Sequence, residues 1–562
     1  MMKRISALIF GAIMISGCSL DKYPETTLTD QTFWKTETDL RGACNRLYVD
    51  LPGFLTGNGH DFRSDELVSY VPDDVSSGNR SVPERDNDWS DPYNKIGVCN
   101  NIIVKGGEAP LQEEVRSRWI AEARFFRAYY YFDLVKKYGD VPLILKVFTS
   151  TDDPEIKKGR DSRETVIQQC YADLEFACEW LPDIDELSDD SNWGRVSRSA
   201  ALAMIVRIGL YEGTYIKYHN LAEGDSKAHL KKAIDAAQTL MSEGKHELYP
   251  NFQTLFYFDG EGRQNKENIF VKLYGPNGAS NAIVYHNQSS TKATQGGITR
   301  QMIDNFLYDD GLPKGKSAYG QSPDTHYDDI FTHRDPRLAM TVFKYREADA
   351  FKGAVYRPFD NVNAGNTYAY PIKKGYMNSE FDTNGRETVD KMVIRYAEVL
   401  ISYAEALYEY KGSISNDDLE KTINAVRGRS GFNVALTNEF VSANGLNMLE
   451  EIRRERMVEF IDEGLHYDDI IRWKTAEDVL PQPMLGLFFN EDESAMTRNE
   501  LAGRLTEADG MYNGAKLYDQ ADIYVVEDGT GRSFNPDRDY LYPIPSYELA
   551  TSGGNIKQNP NW

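Results

Sequence analysis

Apolar and aromatic residues recur at Trp119, Ala123, Phe126, Tyr130 and Leu134, in steps of four, three, four and four. That spacing lines one face of an α-helix, and such a face has to be covered by another element. Arg124, Arg127, Asp133 and Lys136 fall off the stripe, Gly139 stands where a left-handed C-terminal cap belongs, and Pro142 forbids the helix to continue. The same logic predicts a helix carrying Leu40, Ala43, Leu47 and Tyr48, one from about Arg163 to Trp180 closed by Pro182, an Ala-rich one between Gly194 and Gly213 capped by Ser197, and one from His229 to Gly244. Val393, Ala397, Leu400, Ala404 and Leu407 repeat the stripe, with Gly412 after its end. The fold class expected is mainly α: a tetratricopeptide-like scaffold of helical pairs with long irregular loops and a few short strands. No strict repeat of about 34 residues accompanies it, so any repeat is degenerate.

Two polar stretches interrupt the helices. From Pro52 to Pro92 the chain turns to Gly, Ser, Asn, Asp and Pro around Ser64-Asp65-Glu66; after a short strand expected over Asn268 to Tyr274 comes GPNGASNAIVYHNQSSTKATQGG, Gly275 to Gly297. Loops of this length in a compact protein are usually functional or disordered.

With 41% hydrophobic and 12% aromatic residues over 562 positions, the chain can bury a sizeable core. A formal net charge of -24 with no basic patch excludes nucleic acid as a partner and disfavours sulfated polymers. Lys3 and Arg4 precede an apolar run from Ile5 to Ile15 and then Ser16-Gly17-Cys18. This reads as a secretory signal too short to span a membrane, and its end resembles a bacterial lipobox, implying cleavage after Gly17 and lipid on Cys18. Two or more acyl chains would hold the protein firmly to a membrane surface. Of the other cysteines, Cys170 and Cys178 lie about 12 Å apart along one helix and cannot bridge each other. Cys44 and Cys99 leave a disulfide open, although small buried hydrophobes are the plainer reading for all four.

Catalytic signatures are missing. GLPKGKS, Gly311 to Ser317, has one residue too few between its glycines for a phosphate loop and no strand ahead of it, so it reads as a lysine-rich surface turn. There is no HExxH and no GxSxG; His326 and His333, near Asp335, read as a surface pair. The doublets Asp65-Glu66, Asp73-Asp74, Asp309-Asp310 and Asp468-Asp469 are mostly expected on solvated faces. A glycosidase needs carboxylates about 5 Å or about 6.5 to 9.5 Å apart across a sugar, which sequence neighbours do not supply. No cofactor is expected; Asp86, Asp88 and Asp91 raise structural calcium, without the glycine and later glutamate of an EF-hand.

AEARFFRAYYYFDLVKKYGDVP resembles the signature helix of the SusD/RagB family, the outer-membrane glycan-binding lipoproteins of Bacteroidetes-type bacteria. In the family's order stand Pro24, Phe33-Trp34, Asp39-Leu40 and Asn45-Arg46-Leu47-Tyr48, then Trp89, Tyr93, Ile96 and Asn100. HRDPRL (His333 to Leu338), INAVRGRSG (Ile423 to Gly431), IRRERMVEFIDEGLHYDDIIRW (Ile452 to Trp473) and the ending YLYPIPSYELA…QNPNW follow. One departure is Leu465-His466, where relatives usually carry an arginine, which puts a local ion pair in doubt. The resemblance divides the chain into a signal peptide (1–17), a lipidated tether (18–38), an N-terminal region with the helical pairs (39–260) and a C-terminal region with ligand-loop insertions (261–562).

What it implies is a non-enzymatic, lipid-anchored surface protein that captures oligosaccharides for a SusC-like TonB-dependent transporter. The alternatives are a surface glycosidase using loop carboxylates, and a peptide-binding or purely structural transporter lid. Sugar binding calls for an exposed aromatic plate ringed by amides, carboxylates and guanidinium groups. Asp65, Arg80, Asp88 and Trp89 in the first loop, and Tyr274, Tyr285, His286 and Asn287 in the second, are the candidates. Relatives also keep a structural tryptophan at the place of Trp89, so its indole is either plate or core.

Overall fold

The computed structural model describes residues 33–49, 51–53, 60–69, 71–187, 192–274, 296–348, 354–360, 367–377 and 389–562. Cys18 and the signal region lie outside them. The scaffold is a succession of helices: α1 (Glu37–Val49), α2 (Asn87–Gly107), α3 (Glu113–Tyr138), α4 (Arg163–Trp180), α5 (Arg198–His219), α6 (Ser226–Glu243), α7 (Tyr396–Lys411), α8 (Met448–Glu459) and α9 (His466–Arg472). α2 packs on α3, α3 on α4 and α5 on α6, and α7 returns from far along the chain to cover α5 and α6. The largest apolar cluster draws on residues from Trp34 to Ile556, and a second, from Phe62 to Tyr524, is built mostly of residues beyond 297.

Capping follows the sequence. Ser197 accepts from the Ala200 amide at the start of α5, Gly412 ends α7 in the left-handed region, and Gly139 ends α3 at φ 72°. α3 is not a one-sided helix, however. Buried between α2 and α4, it hides Arg127 as well as its apolar stripe; Arg127 grips Asp173 through Nε and Nη2 (2.8 and 2.7 Å) and donates to Asn100 Oδ1 at 2.8 Å. Though it stands off the stripe, this paired guanidinium serves as a buried clamp between three helices. α2 also begins earlier than the loop reading had it, at Asn87, ahead of Pro92: Asp86 caps the first turn and Trp89 is buried there.

The small residues of α5 let α6 approach. A Cβ on Gly209 would stand 2.7 Å from the His229 carbonyl oxygen, and one on Gly213 would meet the Leu230 side chain at 2.6 Å.

Most of the C-terminal motifs build one buried charge lattice. Arg337, from HRDPRL, donates to Asp335 (2.7 Å), Glu455 (2.5 Å) and Glu459 (3.0 Å). Arg427 and Arg429, from INAVRGRSG, reach Glu455 (2.7 Å) and Glu267 (2.9 Å), while Arg395 spans Glu267, Glu459 and Glu463, each at 2.7 Å. Glu455, Glu459 and Glu463 recur every fourth residue, which puts the first two on one face of α8 and carries the same line into the turn beyond it. Burial alone would raise the Glu459 carboxyl, but Arg429, Arg395 and Arg337 together hold it far below the usual range. Neighbouring Glu405, gripped by Arg472 (2.7 Å) and the Trp473 indole (2.7 Å), is likewise pulled down against its burial to about 2.

Strands are few and short. β1 (Leu67–Ser69) pairs antiparallel with β3 (Gly296–Ile298), β2 (Asn268–Lys272) with β4 (Lys391–Arg395), and β5 (Met484–Phe488) with β6 (Ile523–Glu527). β2 is two residues shorter than expected, and the last two residues of the expected second loop, Gly296 and Gly297, are strand. Cys44, Cys99 and Cys170 are buried and, with Cys178, free; Cys44 Sγ donates weakly to the Trp119 carbonyl at 3.4 Å.

Candidate functional site

The first-loop candidates are engaged within the protein. Trp89 is 4% exposed, edge-on to Tyr138 with centroids 4.9 Å apart and 5.4 Å from Tyr93, so of its two readings the structure takes core. A sugar plate needs an open face, and this indole has none. Asp88 accepts from Lys137 Nζ at 3.0 Å and from Arg63 Nη1 at 3.4 Å. Asp86 accepts from the Asp88 amide (2.9 Å) and the Tyr138 hydroxyl (3.3 Å), so this carboxylate is used by the helix cap. Arg80 lies over Tyr542 (4.3 Å to the centroid) and donates to the Asp539 carbonyl at 2.7 Å. The loop around it is pinned to the C-terminal segment, where the Ser533 amide donates to Ser77 O (3.0 Å) and Arg532 to Ser76 O (3.0 Å).

Asp65 and Glu66 are not a solvated doublet. Asp65 pairs with His466 Nε2 at 2.9 Å, so the histidine that stands where relatives usually carry arginine supplies the ion pair that the sequence put in doubt. Burial disfavours the imidazolium, yet the charge and hydrogen bond of Asp65, with Asp469 and Asp61 nearby, together outweigh it and raise His466; Asp65 is lowered in return against its own burial. Glu66, buried, accepts from the Asp462 amide at 2.7 Å, and desolvation with Asp61 nearby pushes it well up. The Asp468-Asp469 doublet is also internal: Lys136 reaches Asp468 at 2.5 Å, and Asp469 accepts from Arg456 at 2.7 Å. His326 and His333 are exposed and paired separately, with Glu493 (3.1 Å) and Asp309 (2.9 Å).

In the second loop Tyr285, His286 and Asn287 lie outside the described residues. Tyr274 is buried, its ring against Gly53, and its amide donates to Asp390 Oδ1 at 2.8 Å. The Asp390 amide donates in turn to Glu261 Oε1 at 2.7 Å. Desolvation first, then the Asp390 charge, raises Glu261 to about 7. The far end of this segment is fixed by β3: Leu67 faces Ile298 and Ser69 faces Gly296, while Ile298 bridges to Tyr370 through bonds of 2.8 and 2.9 Å. Gly296 has no room for a side chain, since a Cβ would fall 2.3 Å from the Phe62 ring and 2.5 Å from Val68 O. The middle of the first loop, the end of the second and the backbone at Tyr370 therefore meet at one place. Sequence spacing named both loops but gave no signal that they pair, because three-residue strands carry no readable period.

A concavity lies elsewhere. A cleft of about 890 Å³ opens beside the Gly311–Ser317 turn, walled by that turn, the short helix Arg300–Asp304, the start of α8 and Asp519-Gln520. The turn lies at the surface, with Gly315 and Lys316 exposed, and its lysines are engaged: Lys316 Nζ donates to Gly445 O (2.7 Å) and Asn444 O (3.1 Å), and Lys314 bonds the Tyr518 hydroxyl. Its walls come from three distant parts of the chain, within residues 301–323, 445–454 and 519–520, which no local pattern announces. Among the described residues no group of three or more His, Cys, Asp or Glu is arranged to hold a metal ion.

Known proteins share this architecture. A sequence model described as the SusD family matches residues 254–562, and one described as starch-binding, associating with outer membrane, matches residues 64–210. A SusD-like protein of Bacteroides ovatus is 25% identical over 87% of this chain and 85% of its own length. The crystal structure of a SusD-like carbohydrate-binding protein from Bacteroides fragilis superposes with a TM-score of 0.72 at 24% identity, over 93% of this chain and 99% of that one. A laminarin-binding SusD-like protein superposes with a TM-score of 0.59 at 21% identity, over 94% and 100%. With the helical pairs, the buried arginine–glutamate lattice and the ordered motifs all in place, the chain belongs to the SusD family.

Proposed function

We propose that this protein is a lipid-anchored, cell-surface glycan-binding protein that captures oligosaccharides and hands them, uncleaved, to a SusC-like TonB-dependent transporter. The observation that carries the reading is family membership over most of the chain, together with a fold shared with a carbohydrate-binding and a laminarin-binding protein. The outer-membrane association in the description matched by residues 64–210 supports the location. Among the described residues no helix is long and apolar enough to cross a membrane, which fits attachment through Cys18. Individual contacts can be weak, because several contacts along one polymer raise the effective concentration of the next.

A glycosidase needs one carboxyl protonated near neutrality facing a second that is ionised. Most buried carboxylates here are committed to arginines, which favours binding without cleavage. One feature speaks for the enzyme reading, the Glu261 carboxyl at about 7 beside Asp390. Both accept backbone amides and tie the ends of a loop together, and our reading is that they latch the fold. Incubating the protein with polysaccharide and sizing the chains afterwards decides this: unchanged length is expected, and shortening that Glu261→Gln abolishes would establish catalysis. Tagged full-length protein purified from outer membranes is expected to bring a TonB-dependent transporter with it; purification without one would remove the delivery role.

A further inference from the structure

We propose that the junction between the first loop and the turn joining α8 to α9 is an acid-closed latch, in which the Asp65–His466 pair locks the loop beside β3 and releases it as the imidazole loses its proton. Three bonds hold the two segments together. The Gly464 amide donates to Asp61 Oδ2 at 2.6 Å, the Asp462 amide donates to Glu66 Oε1 at 2.7 Å, and His466 Nε2 lies 2.9 Å from Asp65 Oδ1. The first two use backbone donors, which carry no charge; of the three, only the last joins two ionisable side chains. The fold places both partners of that bond. His466 opens α9 and is 4% exposed, while the Asp65 carbonyl accepts from Thr299 Oγ1 at 2.7 Å and the Glu66 carbonyl from the Thr299 amide at 3.0 Å. Thr299 directly follows β3 and Leu67 begins β1, so the latch sets where the two loops meet. The inference concerns this loop and holds whatever ligand the loop serves.

The ring itself gives the direction. An imidazolium has two N–H groups, and His466 Nδ1 has no hydrogen-bond partner in the protein. Losing the Nδ1 proton therefore breaks no bond and leaves Nε2–H on Asp65 as a neutral donor, a weaker arrangement than the charge-assisted one. The larger change is in the charges around the ring. Facing His466 are Asp65 and Asp61 from the first loop and Asp469 on its own helix, the last already held by Arg456 (2.7 Å) and Arg472 (2.9 Å). Glu66 stands with Asp61 and Asp462; the cation nearby is Lys374, itself committed to Glu463 (2.5 Å) and to the carbonyls of Glu459 and Ile461. Arg532 bears on Asp65 from the C-terminal segment. Once the ring is neutral, Asp65 has lost its close counter-charge among these carboxylates. Glu66, pushed well up by burial and by Asp61, adds a further negative charge when it ionises. Both changes come with rising pH, and both part the loop from the turn.

The test is amide hydrogen exchange of residues 19–562, read by mass spectrometry at pH 6 and pH 8 and corrected for the intrinsic effect of pH on exchange. Peptides covering residues 60–69 report the latch, and peptides of α3 report global unfolding. The variants are His466→Arg, charged at both pH values, and His466→Gln, charged at neither. In wild type, protection of 60–69 relative to α3 is expected to fall at least about tenfold from pH 6 to pH 8, because taking one charge from a buried pair is strongly unfavourable. His466→Arg is expected to hold that ratio within about twofold, since a guanidinium does not titrate in this range. His466→Gln is expected to be poorly protected at both. Wild-type protection that stays constant relative to α3 would overturn the latch without recourse to any variant. A fall in His466→Arg as large as in wild type would assign the titration to another group and overturn the role of His466.

Discussion

Trp89 marks the limit of what one residue type reveals. An indole followed by tyrosine suits a sugar plate and a core anchor equally well in sequence, and only its edge-on contact with Tyr138 decides for core. Trp89→Ala is therefore expected to cost about 3–5 kcal/mol of stability, measured by denaturant unfolding, as for other large aromatics removed from a core. Trp89→Phe should retain glycan binding as wild type does. Asp65, Arg80 and Asp88 were legible as polar loop residues but not as partnered ones, because His466, Asp539 and Lys137 lie far away in sequence. The same distance hid the lattice of Arg337, Arg395 and Glu459, whose motifs were readable as markers with no visible purpose.

At the scale of elements, the helix ends at Ser197, Gly139, Gly244 and Gly412 were legible because stripe and cap agree, but α5 passes through Gly213, where its end was expected, and runs to a left-handed Asn220. What the stripe could not show is how many neighbours a helix has: α3 is enclosed on most sides, so Arg127 is buried though it stands off the stripe. The α5–α6 contact was legible in outline from small residues and is sharpest at Gly209, where an added methyl would meet backbone and not a movable side chain. Gly209→Ala is expected to destabilise by about 1–3 kcal/mol despite its better helix propensity, with the two helices forced apart. A neutral or stabilising result in thermal unfolding would show that the pair can separate without loss. The β1–β3 pairing, which brings the two loops together, was beyond the sequence for the reason of strand length.

For the whole molecule, Glu261 and His466 move stability the same way with pH and Asp65 moves it the other. The unfolded chain releases the Glu261 proton near the ordinary glutamate value of 4.5, whereas the native state keeps it to about 7, so stability falls as pH rises through that window. His466, raised above 6.5 by Asp65, adds stability below that value that is lost as pH climbs through its folded value. Asp65, lowered from 3.8, contributes above that value and loses its share as pH falls. A net charge of -24 adds self-repulsion as further groups ionise. The denaturation midpoint is thus predicted to be higher near pH 6 than near pH 8, with the difference reduced in Glu261→Gln and in His466→Gln. A midpoint rising toward pH 8 would refute these assignments. Fold class and family were both legible at this scale, because many motifs in order constrain a chain more than any one of them does. The cleft beside the Gly311–Ser317 turn was not, since walls drawn from separate segments leave no local pattern. The most direct test of the central claim is retention of residues 19–562 in polysaccharide gels, with the glycan sized afterwards. Specific retention with glycan length unchanged is the predicted result; passage through every gel unretarded, or shortened glycan, would contradict it.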